Sequence, residues 1–84
     1  MNQPYREPLE HLTAELGKTE HPEFEDLHQD TRGALESDDH HAALAGHPNL
    51  RERLEGAVER YGATHPKLTR AAQNLLDVLN ANGL

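Results

Sequence analysis

Leu9, Leu12 and Leu16 stand at i, i+3 and i+7, the spacing that places side chains on one face of an α-helix. Pro8 suits the first turn of such a helix, where its missing N–H is not needed, and Gly17 is a natural left-handed stop. The pattern predicts a first helix over about residues 7–16. Thr19 can cap the next start, with Pro22 inside its first turn. Glu20, Glu23, Glu25 and Asp26 crowd that turn, where the helix dipole favours negative charge. Phe24, Leu27, Thr31, Ala34 and Leu35 form the inner face of this second helix, expected over about 21–36. In SDDHHAALAGHPN, Ser37, Asp38 and Asp39 are turn or cap residues and Gly46 is a stop. His40–Ala45 forms one short helical turn there, or the second helix runs on into it.

Pro48 opens a further helix whose stripe is Leu50, Leu54, Ala57, Val58 and Tyr61. Gly62, Thr64 and Pro66 then follow as stop, cap and first-turn residue. Carrying the helix through Pro66 would lose a hydrogen bond and clash with the preceding turn. A break or strong kink is therefore expected near residues 62–65, with a last helix over about 65–81 carrying Leu68, Ala72, Leu75, Leu76 and Leu79. A rival reading exists. Leu50, Leu54, Ala57, Tyr61, Thr64, Leu68, Ala71, Leu75 and Val78 keep a 4-3 spacing across the proline, as one kinked helix with a coiled-coil-like seam would. The closing NANGL places Gly83 where a left-handed residue belongs, and Leu84 is expected to be buried against Leu79.

His-Pro-x-apolar occurs three times, at His21, His47 and His65. Each proline falls in the first turn of an expected helix, and the apolar residue two positions on begins its buried stripe. The residue before proline is pushed away from helical dihedrals, so each histidine suits a cap position. Punctuation explains the repeat, and the three histidines are expected at helix starts in separate corners of the fold. The competing reading is metal, since seven histidines are many for this length. The densest group is Asp38–His41, but His40 and His41 are adjacent and diverge on a helix. His21 and His28 lack an obvious third ligand, and no H-x3-H pair with a second arm is present.

Composition narrows the function classes. Eighty-four residues suit one domain, residues 1–84. One Phe, two Tyr and no Trp make a lean core, for which self-association is one remedy. There is no Cys, which excludes disulfides and fits a reducing compartment. The polar start MNQPYREP shows no signal peptide and no run approaches membrane-spanning length, so a cytoplasmic location is expected. Residues 1–46 carry eleven acids and three bases, a net of −8; residues 47–84 carry four acids and five bases, a net of +1. The acidic half argues against nucleic acid, as does the scatter of Arg51, Arg53, Arg60, Lys67 and Arg70 among glutamates with no aromatic platform. The polarity of the halves favours packing on each other, or head-to-tail contact between chains. No nucleotide-binding glycine motif occurs, and the only serine, Ser37, lacks an activating neighbour. No catalytic, cofactor-binding or metal-ligating residue is assigned.

The stretch LRERLEGAVERYGATHPKLTRAAQNLLDVLNANGL, Leu50 to Leu84, resembles a family of short bacterial proteins known only as a domain of unknown function, number 4404. LRERLE, the aromatic at Tyr61, the Thr-His-Pro-x-Leu-Thr step at 64–69 and the NGL ending carry the likeness, which is looser over 7–36. The resemblance implies a small helical protein and brings no catalytic residue, ligand or partner.

The sequence thus predicts an all-α bundle of three to four short helices acting as a non-enzymatic interaction module, binding a protein partner or itself as a homodimer. The expected contact residues are Leu50, Leu54, Tyr61, Leu68, Leu75 and Val78, on the long 4-3 stripe. The alternative is a metal- or pH-responsive protein using its histidines.

Overall fold

Five α-helices make up the regular structure among the described residues: α1 Arg6–Lys18, α2 Pro22–Glu36, α3 His40–Ala45, α4 Pro48–Tyr61 and α5 Pro66–Ala81. The computed structural model describes residues 4–19 and 21–84. Glu20, expected in the acidic first turn of α2, lies outside them, as do Met1, Asn2 and Gln3. The all-α expectation holds, but five helices replace three to four because the short segment at His40–Ala45 is a separate helix. Asp39 starts it by accepting a hydrogen bond from the Ala42 N–H at 3.1 Å.

α1 begins earlier and ends later than the leucine spacing implies. Tyr5, its N-cap, is buried and extends the stripe of Leu9, Leu12 and Leu16 by one turn. Pro8 still lies in the first turn, where no intrahelical partner is lost. Gly17 does not stop the helix, since Gly83 is the one described glycine with positive φ. It lies instead where His28 of α2 approaches; a Cβ on Gly17 would sit 3.5 Å from the imidazole Nε2. Thr19 closes α1 as its C-cap, its hydroxyl donating to the Glu15 carbonyl, rather than opening α2. That role falls to His21, whose Nδ1 accepts from the Glu23 N–H at 3.2 Å.

The expected break near 62–65 is present, and the single kinked helix is not. Gly62 remains right-handed (φ −57°, ψ −36°), and the turn is completed at His65, whose ψ of 66° lies outside the helical region. An unbroken helix over 48–81 would be roughly 50 Å long, whereas the molecule's longest axis is 35 Å. α1 with α2 and α4 with α5 therefore form two helical hairpins. They join mainly through α1 against α5, while α2 and α4 meet only thinly.

The core lies between these hairpins. Leu9, Leu12, Ala71, Ala72 and Leu75 are fully shielded from solvent, with Phe24, Leu50 and Leu54 almost so. The buried hydroxyls of Thr31 and Thr69 are satisfied by carbonyls one turn back, those of Leu27 and His65 among them. At the end of α5, Gly83 has φ +78°, its N–H donates to the Asn80 carbonyl, and the Leu84 N–H donates to the Leu79 carbonyl at 2.8 Å. These are the paired bonds of a Schellman cap, as NANGL predicts. Leu84 packs on the core but is half-buried, less than expected.

Candidate functional site

The thin seam between α2 and α4 is bridged by side chains at two levels. Arg53 of α4 pairs with Asp30 of α2. One helical repeat lower, Arg60 and the Tyr61 hydroxyl both donate to the Glu23 carboxylate. These pairings run in opposite directions along the two helices, so α2 and α4 are antiparallel. Between the two bridges lies a slot of about 210 Å³ with Phe24, Leu27 and Ala57 along its base. Gly56 lies on its α4 side, and a Cβ built there would find nothing closer than an Arg60 nitrogen at 3.8 Å. The slot is therefore open at Gly56 where any other residue would begin to fill it.

The lower bridge is a coupled electrostatic unit. The Tyr61 hydrogen bond, opposed by partial desolvation and reinforced by the Arg60 charge, holds the Glu23 carboxyl below the usual carboxylate range. The same bond to Glu23, with partial desolvation and the carboxylate's charge adding to it, raises the Tyr61 hydroxyl above the usual phenol value. Behind this unit the Phe24 ring meets Tyr61 edge-on at 4.8 Å between centroids. His21 lies 4.9 Å from Phe24 and 5.3 Å from Tyr61, and His65 lies 5.8 Å from Phe24. His21, His47 and His65 are all N-caps with proline at the following position, as predicted. Their expected separation is wrong for two of them. Both hairpins turn at the same end of the molecule, so His21 and His65 share one aromatic cluster.

The predicted contact stripe is spent inside the chain. Leu50, Leu54, Leu68 and Leu75 are each at most 3 % exposed, and Tyr61 and Val78 are half-buried. α1 packs over α5, and α4 packs mainly against α5. Tyr61 alone of the six reaches the slot. Phe24 is legible in the sequence only as part of the inner face of α2, and the sequence pattern assigns no role to Gly56 or to cross-helix pairs of Arg53 and Arg60. The signal for them is the antiparallel register, in which 23 faces 60 and 30 faces 53, and that register is visible only once the hairpins are known.

The remaining histidines do not gather. His21, Glu25 and His28 border a wider, more open hollow of about 490 Å³ at the α1–α2 turn. No group of three or more His, Asp or Glu among the described residues stands close enough to share a metal ion. His40 donates from Nε2 to the Leu35 carbonyl at 3.1 Å, while His41 Nδ1 bonds the Tyr5 hydroxyl at 2.9 Å, so the adjacent pair diverges. Arg51, Arg53 and Arg60 are each held by a carboxylate. No described helix is long and apolar enough to cross a membrane.

The chain belongs to the family defined by a domain of unknown function, DUF4404, whose model matches residues 6–84. The match takes in all five helices, not only the C-terminal stretch from Leu50. No curated protein and no solved structure matches the chain.

Proposed function

We propose that this member of a family of unknown function is a non-enzymatic helical interaction module, and that it engages a protein partner through the α2–α4 face. One observation carries the reading: the leucine stripe is spent inside the chain, yet the α2–α4 seam leaves an open slot with an apolar base. At about 210 Å³ the slot is smaller than the roughly 300–1,000 Å³ of small-molecule sites. It is larger than the roughly 150 Å³ apolar cavity that holds a benzene-sized group. It therefore suits one inserted side chain. Of the titratable groups that line it, Glu23, Tyr61, Arg53 and Arg60 are engaged in the two bridges, and Glu52 forms no ion pair among the described residues. Association through Leu50, Leu54, Leu68 and Leu75 would require opening the core, so the partner surface moves to this face.

A photo-crosslinking residue placed at Glu52, an exposed position at the slot that leaves the space over Gly56 free, is compared in the full chain with one at Gln73 on the exposed face of α5, and tests the reading in the source cell. A discrete protein adduct from position 52 and none from 73 is expected. No adduct at 52, or the same adducts from both positions, would overturn it.

A further inference from the structure

The charge around the slot selects its occupant. Glu23, Asp26 and Asp30 share one face of α2 at i, i+3 and i+7, and Glu52, Gly56 and Glu59 share one face of α4 at i, i+4 and i+7. Glu23 and Asp30 are neutralised by Arg60 and Arg53. Asp26, Glu52 and Glu59 are exposed and form no ion pair among the described residues. Glu52 lines the slot, and Asp26 and Glu59 flank it by helical spacing on the same faces, so carboxylate charge is left over on both sides, on a chain whose net charge is −7. An incoming cation meets carboxylates on both sides, while an incoming anion is repelled by them and by the whole molecule.

Resting on the interaction reading above, we infer that the slot receives one aliphatic side chain of a cationic segment from another protein. The aliphatic group fills the space over Gly56, against Phe24, Leu27 and Ala57. Lysines or arginines flanking it pair with Asp26 on one side and with Glu52 and Glu59 on the other. A second copy of this chain does not supply such a segment. Its exposed cations outside the ion pairs, Lys67 and Arg70, flank Leu68, which is buried in the core. Gly56 is the specific determinant. In a helix interior glycine is the least favourable residue after proline, and here it keeps open the space that the anchor enters.

Three synthetic peptides titrated into the full chain, with binding followed by fluorescence anisotropy, test the inference. One is a lysine-rich helix-forming peptide with a single central leucine, the second replaces that leucine with serine, and the third replaces its lysines with glutamates. The leucine peptide should bind, weaken as salt is raised, and bind about tenfold or more tighter than the serine peptide, the scale expected for burying one leucine. The glutamate peptide should not bind. Gly56→Leu fills the slot from within and should abolish the leucine preference, with thermal unfolding measured alongside to show that the fold is kept. Glu52→Gln with Glu59→Gln leaves the slot open and should weaken the leucine and serine peptides alike.

Equal binding of the leucine and serine peptides, or an unchanged preference in Gly56→Leu, would overturn the anchor. Binding of the glutamate peptide would overturn the charge assignment. If these results are negative while position 52 still crosslinks a partner in cells, the cationic segment is wrong and the interaction face stands. If crosslinking fails too, both fall. Self-association in sedimentation that Gly56→Leu abolishes would make a second copy the occupant, against the inference.

Discussion

Phe24→Ala is the most informative single perturbation of the fold, because α2 touches α4 so little. Phe24 is the largest of the fully buried side chains, at 1 % exposure. Its ring holds the start of α2 to the end of α4 through Tyr61, and to the start of α5 through His65. Truncating a buried Phe to Ala costs about 3–5 kcal/mol, combining lost transfer energy with the cavity left behind. The α1–α2 turn cannot collapse freely into that cavity, since His21 is committed to capping α2. An 84-residue domain has a total stability of roughly 4–13 kcal/mol. The substitution thus removes about a third or more of it at mid-range. With a urea slope of about 1.5 kcal/mol/M, the midpoint should fall by roughly 2 M or more. Circular dichroism during urea titration reads this directly, and Phe24→Leu, which keeps an aliphatic body, should lose about half as much or less. A Phe24→Ala midpoint shift worth under about 1.5 kcal/mol at unchanged slope would refute the packing argument.

The same geometry fixes further outcomes. Gly33→Ala and Gly56→Ala should each raise stability by about 0.5–1 kcal/mol in thermal unfolding, because both are interior helix positions with room for a Cβ. Gly62→Ala should show no such gain, since its Cβ would sit 2.9 Å from the Val58 carbonyl oxygen. Gly83→Ala should cost about 1–2 kcal/mol, because φ of +78° is strained for a residue with a side chain, and chemical denaturation will show a lower midpoint if the cap is as described. The lower bridge fixes a pH dependence. The Glu23 carboxyl is depressed in the folded state, so its stabilising effect is present above the unfolded carboxylate range and is lost as pH falls through the folded value. Stability of the wild type should therefore fall more steeply in acid than that of Glu23→Gln, and parallel curves would contradict the bridge. At the alkaline end both Tyr5, through burial, and Tyr61, chiefly through its bond to Glu23, should ionise above the ordinary phenol value in a tyrosinate absorbance titration.

The elements were largely legible in the sequence because their signals are local. Proline at N1 and histidine before it mark the starts of α2, α4 and α5, and Gly83 marks the end of α5. Gly17 misled because a glycine near a helix end fits both a stop and a close approach between helices, and only the position of His28 distinguishes them. Tyr5 extends the Leu9, Leu12, Leu16 stripe, but a proline at position 8 suits any place in the first turn and does not say how far back the helix begins. The stripe from Leu50 to Val78 was legible as a buried face, but helical periodicity does not say what buries it. Two hairpins with short turns supply the cover, α1 over α5 and α5 against α4. The same turns bring His21 and His65 together, an outcome of topology that no local spacing contains.

Charge shows how far sequence reasoning reaches toward the candidate site. The acidic first half and mildly basic second half favour packing on each other, and that packing occurs: Asp30 and Glu23 of α2 meet Arg53 and Arg60 of α4. These pairs retain solvent access, and exposed pairs contribute little stability. Their clearer consequence is register. Asp30 opposite Arg53 and Glu23 opposite Arg60 mark the antiparallel offset at which the slot over Gly56 stays open. Of the acids that the arginines do not reach, Glu52 then lines that slot, and Asp26 and Glu59 flank it by helical spacing. The composition foretold an acidic surplus. Its concentration beside the thinly packed α2–α4 seam follows from the antiparallel register, and that coincidence of open apolar space with unpaired carboxylates argues for a cationic partner at this face.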